Sequence, residues 1–122
     1  MASRRKEYQE DAKLRVLQII KENPQSTTRE VAQKVGISNG SAYYLLTSLI
    51  EKGFVKLSNL REDSKKINYS YLLTPKGIRE KSVLTNNFLI RKKKEFVALR
   101  NEIQTLEQEI GANPDKNDKD SR

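Results

Sequence analysis

Apolar residues recur at helical spacing in the first part of the chain. Within residues 8–22 they return every three or four positions, which is typical of an amphipathic helix. The residues that form this apolar face are Leu14, Val16, Leu17 and Ile20. Asn23 and Pro24 end the helix, because proline disfavours a helical conformation in the residue before it.

Two more helices are predicted next, and they are separated by a short turn that contains a glycine. The first follows Thr27, which stands at capping-box spacing from Glu30, and it ends at Gly36. The second runs from about residue 39 to residue 52, with Ser38 as its N-cap. This order is that of a helix-turn-helix, and an ordinary helical hairpin is the alternative.

Two segments with strand character follow these helices. They are FVKLSNL at residues 54–60 and INYSYLLT at residues 67–74, and the second shows period-two alternation. The polar segment REDSKK between them predicts a hairpin turn, which gives the order of a winged helix. Three cations at this turn, Arg61, Lys65 and Lys66, are candidate phosphate contacts. A solvated loop is the other interpretation.

The motif LTPKG at residues 73–77 restarts a helix, because Thr74 suits the N-cap and Pro75 the first helical position. No strong breaker follows before Gly111, although residues 85–87 have poor helix propensity. A helix over residues 75–110 would be roughly 50 Å long. That length is more than this small domain alone can bury.

The second half of this helix carries apolar residues in alternating steps of three and four, as at positions a and d of a heptad repeat. The residues of this seam are Leu89, Phe96, Leu99, Ile103, Leu106 and Ile110. A narrow seam favours a two-stranded coiled coil and therefore a homodimer, whereas a lone helix packed on its own domain is the alternative. In a parallel pair Glu95 would meet Arg100 of the second chain, but Glu102 would face Glu107. Charge therefore leaves the orientation open.

Composition narrows the possible functions. The chain has no cysteine and no histidine, so zinc sites and Cys-His or Ser-His catalysis are not expected. The sequence shows no phosphate-binding glycine loop and no pair of acids in an apolar setting. We therefore expect no enzyme activity, no metal and no cofactor. The amino terminus does not resemble a secretory signal and no apolar run is long enough for a bilayer, so a cytoplasmic protein is expected.

The net charge of +8 favours an anionic partner, either nucleic acid or a membrane surface. The positive charge is concentrated in residues 61–94, which hold ten basic and three acidic residues. The densest run is RKKK at residues 91–94. It is interpreted as a solvated helix face, as a phosphate contact outside the DNA groove, or as a contact for an acidic partner.

The predicted fold class is mainly α with a β-hairpin wing: a winged helix-turn-helix followed by a long dimerisation helix. Residues 1–9 are expected to form a basic arm, in which Arg4, Arg5 and Lys6 are mobile and add phosphate affinity. The DNA-binding domain spans residues 10–77, the helix with the dimer seam spans residues 78–110, and residues 111–122 form a disordered tail.

The helix at residues 39–52 is the candidate recognition helix. Its core side is predicted to contain Ala42, Leu45, Leu46, Leu49 and Ile50. Tyr44 points away from that side, whereas Tyr43 borders it and is expected to be half packed. Because such helices read bases mainly with their first turns, the candidate base-reading residues are Ser38, Asn39, Gly40, Ser41, Tyr43, Tyr44 and Thr47. No Arg or Lys precedes Lys52, so A·T-leaning or shape-assisted recognition is expected.

The block VAQKVGISNGSAYYLLTSLIEKGFVKL resembles the helix-turn-helix of MarR-like winged-helix regulators, and YSYLLTPKG resembles the end of their wing and the start of the next helix. The length and the long basic helix are similar to small MarR-type regulators associated with exopolysaccharide gene clusters. The resemblance covers about residues 10–110. It implies that five residues face the major groove: Asn39, Gly40, Ser41, Tyr43 and Tyr44. The two tyrosines stand where many relatives have Ser and Arg, so a base preference does not carry over.

These observations predict a homodimeric, sequence-specific regulator of transcription that binds a near-palindromic operator in double-stranded DNA. Besides the wing cations, the candidate phosphate contacts are Thr27, Thr28 and Arg29. The amino-terminal segment is short compared with larger MarR-type proteins, so a small-molecule effector is not expected. The alternative from another class is a winged-helix protein-interaction module that binds nucleic acid weakly and without sequence preference.

Overall fold

The computed structural model of the protein describes residues 2–63 and 66–112, with side chains described for residues 4–58 and 69–112. Within these residues the chain forms four helices and one two-stranded sheet. Two compact units are present, Met1–Asn86 and Asn87–Arg122. The first contains the helix-turn-helix and the hairpin, and the second contains the last part of the fourth helix.

Helix α1 (Ala2–Glu22) begins well before residue 8, where the apolar spacing places its start. Arg4, Arg5 and Lys6 therefore lie within a helix instead of in the expected mobile arm. Residues 4–9 are all exposed, and this segment includes Arg4, Arg5 and Lys6, whose helix propensities are favourable. A pattern of apolar residues cannot reveal such turns. The end at Glu22, before Asn23 and Pro24, is as predicted.

Helices α2 (Thr28–Val35) and α3 (Asn39–Glu51) form the predicted helix-turn-helix. The capping box of α2 is present: the Glu30 N–H donates to Thr27 Oγ1 at 3.1 Å, and the Thr27 N–H donates to Glu30 Oε1 at 2.8 Å. Gly36 ends α2 with a φ of 83°, a left-handed conformation that other residues rarely adopt. Local sequence signals therefore determine both ends of α2.

The core of the first unit lies between α1, α2, α3 and the base of the hairpin. α1 contributes the most side chains, because one side of its last turns is almost completely buried. The buried apolar residues are Leu14, Val16, Leu17, Ile19, Ile20, Val31, Ala32, Ala42, Leu46, Leu49, Val55 and Leu84. The predicted apolar face of α1 is thus confirmed.

The wing consists of strands β1 (Val55–Asp63) and β2 (Lys66–Leu73), which pair antiparallel from Val55 opposite Leu73 to Asp63 opposite Lys66. The strands include four residues of the segment REDSKK that were expected in the turn, namely Arg61, Glu62, Asp63 and Lys66. Two points fix the base of the wing. The Tyr71 N–H donates to the carbonyl oxygen of Pro24 at 2.8 Å, and Ser70 is buried. β2 therefore packs against the loop that follows α1.

Helix α4 spans Pro75–Gly111, close to the predicted range, and remains helical through residues 85–87. Thr74 is its N-cap, because the Gly77 N–H donates to Thr74 Oγ1 at 3.0 Å and the Ile78 N–H donates to the Thr74 carbonyl at 2.8 Å. Gly111 still belongs to the helix. The remainder of the predicted tail, residues 113–122, lies outside the described part of the chain.

Candidate nucleic-acid interface

Two serines organise the first turn of α3. Ser38 Oγ accepts a hydrogen bond from the Ser41 N–H at 3.1 Å, and the Ser38 hydroxyl donates to Ser41 Oγ at 2.9 Å. Ser38 has φ −70° and ψ 158°, the extended conformation of an N-cap residue. Both residues are exposed, so their hydroxyls lie at the surface while they also fix the start of the helix.

Both tyrosines of α3 are exposed. Tyr44 is 75% exposed, as its position on the helical wheel predicts. Tyr43 is 66% exposed, so the prediction that half of its ring packs on the core is wrong. The physical reason is that the buried side of α3 is narrower than predicted. It contains Ala42, Leu46 and Leu49, whereas Leu45 and Ile50 are only half-buried.

The outer face of α3 offers polar groups without charge. Asn39 and Gly40 are exposed and Thr47 is half-buried. No charged residue occurs between Asn39 and Ile50. Amide and hydroxyl groups can pair with base edges, whereas cations mainly add affinity for phosphates. The face is therefore chemically suited to discriminate between bases.

A groove of 710 Å³ separates the first turns of α1 from α3. Lys6, Tyr8 and Lys13 line it on the α1 side, and Gly40 and Tyr44 line it on the α3 side. The sequence prediction missed this groove, since it treated residues 1–9 as an arm. The helix propensity of residues 2–7 was the available signal. Tyr44 thus lies at the edge of the outer face of α3 that borders the start of α1.

A second groove, of 580 Å³, lies between the start of α2 and the wing. Thr27 and Thr28 line it together with Leu57, Tyr69 and Tyr71 of the strands. The candidate phosphate contacts at the start of α2 therefore border the wing. The N-terminus of a helix attracts anions, because its first N–H groups point outward and the helix dipole is positive there. Arg29, in the first turn of α2, is exposed.

The wing cations are described only by their backbone. Arg61 pairs with Ile67 across the hairpin, and Lys66 pairs with Asp63. Their side chains, and Lys65 as a whole, lie outside the described residues. Their role in phosphate binding stays a prediction.

The seam of α4 is exposed along its whole length. The six residues are between 43% and 62% exposed: Leu89, Phe96, Leu99, Ile103, Leu106 and Ile110. A heptad-spaced apolar stripe that is left in water is typical of a helix that pairs with another helix.

The basic run at residues 91–94 has local partners within α4. Arg91 Nε and Lys92 Nζ lie 3.8 Å and 3.1 Å from the carboxylate oxygens of Glu95. Both cations also stand over the Phe88 ring, each 5.2 Å from its centroid. These contacts are consistent with a solvated helix face, the first of the three interpretations.

Among the described side chains, no group of three or more Asp, Glu, Cys or His residues could hold a metal ion. In the same part of the chain, no helix is both long enough and apolar enough to cross a membrane.

Comparison with known proteins agrees with the winged helix-turn-helix arrangement of α1 to α3 and the wing. Residues 9–56 match the family model for winged helix-turn-helix DNA-binding domains. That segment contains α1 from Gln9 onward, α2, α3 and the start of the wing. No curated protein matches the chain by sequence.

Solved structures match a larger part of the chain. A single-site mutant of MepR from S. aureus has a TM-score of 0.58 and 18% identity, covering 91% of this chain and 79% of that protein. The transcriptional repressor CouR, bound to a 23-mer DNA duplex, has a TM-score of 0.57 and 20% identity, covering 81% and 70%. Staphylococcus aureus MarR, in complex with salicylate and kanamycin, has a TM-score of 0.52 and 21% identity, covering 79% and 67%.

The fold is that of MarR-type regulators. The MarR-type fold accounts for the mostly helical architecture, the two-stranded wing and the long C-terminal helix. Among the solved proteins that share this fold, CouR is a transcriptional repressor and was solved on a DNA duplex. At the identities found, the likeness establishes the architecture of the chain.

Proposed function

We propose that this protein is a sequence-specific, double-stranded DNA-binding regulator of transcription that acts as a homodimer. The observation that carries the proposal is the outer face of α3. It is exposed and uncharged, its first turn is fixed by the Ser38 cap, and it stands on a scaffold that matches winged helix-turn-helix DNA-binding domains. A match to CouR solved on a DNA duplex supports the same use of the fold.

Discrimination between sequences is assigned to α3. Asn39 can form a bidentate hydrogen bond with adenine, and Gly40 allows the backbone to approach a base edge closely. Tyr44 offers a hydroxyl for a phosphate or a base and a ring for a thymine methyl group. Ser38, Ser41, Tyr43 and Thr47 complete the proposed reading face. The lack of a cation on this face favours A·T-rich or shape-assisted operators.

Affinity is assigned to the phosphate contacts. Thr28 and Arg29 at the start of α2 are suited to contact the phosphates of one DNA strand. Thr27 stands beside them as the N-cap of the helix. Arg61, Lys65 and Lys66 of the wing segment add further positive charge. Because such contacts release counterions, binding should weaken steeply as the salt concentration rises.

Dimerisation is assigned to the exposed seam of α4. Two copies that pair through this seam would bury six apolar side chains per chain that a single copy leaves in water. A two-fold dimer would present two copies of α3 to successive major grooves, about 10 base pairs apart. The operator is therefore expected to be nearly palindromic. Both orientations of the coil remain compatible with the charges beside the seam.

The resemblance of the sequence to regulators of exopolysaccharide gene clusters suggests genes of that class as targets. The proposed location of this activity is the cytoplasm. No effector is included in the proposal. Salicylate and kanamycin belong to the solved complex of the staphylococcal MarR.

A selection from random duplex DNA at physiological salt tests the proposal. The expected result is a near-palindromic, A·T-leaning consensus with half-sites about one helical turn apart. Enrichment without any consensus would support the alternative, a protein-interaction module. A G-rich consensus that depends on residues 39–47 would contradict the assigned reading face while leaving DNA binding intact.

A further inference from the structure

The carboxyl end of α3 is capped by backbone hydrogen bonds from the residues that precede the wing. The Gly53 N–H donates to the Ile50 carbonyl at 3.0 Å, and the Phe54 N–H donates to the Leu49 carbonyl at 2.9 Å. Gly53 has a φ of 80°, so the three residues after α3 form a Schellman-type cap. This cap leaves the carbonyl oxygens of Lys52 and Gly53 to find partners elsewhere.

The first residues of α4 supply those partners. Lys76 Nζ donates to the Lys52 carbonyl at 2.9 Å, and Thr74 Oγ1 donates to the Gly53 carbonyl at 2.6 Å. The Thr74 N–H also donates to the Phe54 carbonyl at 3.1 Å. A lysine at the carboxyl end of a helix is favoured by the helix dipole. The start of α4 therefore caps the end of α3.

The Phe54 ring also links α1 to this contact between α3 and α4. The Lys13 ammonium lies 4.6 Å from the centroid of the Phe54 ring, and the Lys76 ammonium lies 5.0 Å from it. Lys13 also forms an ion pair with Glu80 of α4 at 2.7 Å. One aromatic ring thus holds cations from two helices, which is a favourable arrangement.

The position of Gly77 shows how closely α4 approaches the backbone of Phe54. A Cβ atom built on Gly77 would lie 1.9 Å from the Phe54 carbonyl oxygen. We call the set Lys52, Gly53, Phe54, Thr74, Lys76 and Gly77 the α3–α4 junction. It ties the recognition helix to the first turns of the helix that carries the dimer seam.

We propose that Lys76 and Phe54 are positioning residues that set which spacing between two half-sites the dimer accepts. This inference rests on the proposed function. Both residues act through α3 and are not assigned any contact with DNA. When the junction holds α3 on α4, the two recognition helices of a dimer keep one separation. When it is loosened, each α3 still reads its half-site but the separation is no longer restricted.

Lys76 is exposed, so its loss can be tested in a folded protein. Lys76→Met keeps the aliphatic chain and removes both the hydrogen bond to Lys52 and the cation over Phe54. Lys81→Met is the matched control, because it removes one positive charge from the same helix outside the junction. Phe54→Leu is a second variant, which removes the ring and retains an apolar side chain. Thermal melting followed by circular dichroism establishes that each variant is folded.

The measurement is the affinity for three duplexes: two selected half-sites at the selected spacing, the same half-sites with one base pair inserted, and a single half-site. For Lys76→Met we expect the preference for the selected spacing to fall by about fivefold or more, the factor that the loss of one exposed cation–π contact and one hydrogen bond would produce. Affinity for the single half-site should stay close to that of the wild type. Lys81→Met should retain the full spacing preference, whereas Lys76→Arg should restore part of it.

A wild-type spacing preference in both Lys76→Met and Phe54→Leu would overturn the inference while leaving the proposed function in place. An equal loss of affinity on all three duplexes would also overturn it, because that result indicates a merely structural role. Failure of the wild type to prefer any duplex would instead count against the proposed function itself.

Discussion

Tyr44 is the more exposed of the two tyrosines of α3, at 75%, and it lines the groove beside α1 together with Gly40. Most of this side chain is exposed, so its ring and hydroxyl are available to a partner. Tyr43 is nearly as exposed, although the wheel places it next to the core. Its exposure follows from the narrow buried side of α3, which contains only Ala42, Leu46 and Leu49 among the described residues of that helix.

The close packing of Gly77 leads to a prediction about how a single added methyl group changes the stability of the fold. Gly77→Ala should lower the free energy of unfolding by about 3 kcal/mol, because the added methyl group would overlap the Phe54 carbonyl and the helix must shift. Urea denaturation followed by circular dichroism measures this change.

Gly40→Ala is the control for that measurement. Its added methyl group meets only Ser38 Oγ, at 4.0 Å, so the variant should be unchanged or up to about 1 kcal/mol more stable. Equal effects at both glycines would show that close packing at Gly77 is not the cause.

At the scale of elements, local signals predicted the structure well and long-range contacts could not be predicted. The caps at Thr27, Ser38 and Thr74 depend on residues within one turn, and all three are confirmed. The start of α1 was missed because its first turns have no buried side. The hydrogen bond from Lys76 to Lys52 joins residues far apart in the chain, and no sequence pattern indicates it.

The seam of α4 yields a prediction about assembly. Ile103→Glu places a carboxylate at a core position of the proposed coil and should weaken the dimer by about 3 kcal/mol, or roughly a hundredfold in Kd. Sedimentation velocity over a range of protein concentrations measures the shift toward monomer.

Val97→Glu is the matched control, since Val97 is also an exposed apolar residue of α4, at 46%, but lies off the seam. It should remain dimeric. Dissociation of both variants alike, or of neither, would rule out this seam as the interface.

For the molecule as a whole, charge and discrimination are assigned to different parts of the chain. The net charge is +8, yet α3 carries no charged residue before Glu51. Residues 61–94 hold most of the excess positive charge. A protein built in this way should bind any DNA through its cations and select among sequences through α3. Composition alone favours an anionic partner and the helical wheel predicts the exposure of Tyr44, but only the structure shows that Tyr43 is exposed as well.

The uncharged face of α3 is expected to supply discrimination between sequences and little of the non-specific affinity. The most direct test compares the wild type with the double variant Asn39→Ala/Tyr44→Ala on the selected duplex and on a scrambled duplex, over a series of salt concentrations. We predict that the variant loses at least about tenfold in affinity for the selected duplex, the value of one good base contact. Its affinity for the scrambled duplex and the slope of its salt dependence should stay unchanged. Equal losses on both duplexes, or an undiminished preference for the selected one, would contradict the claim.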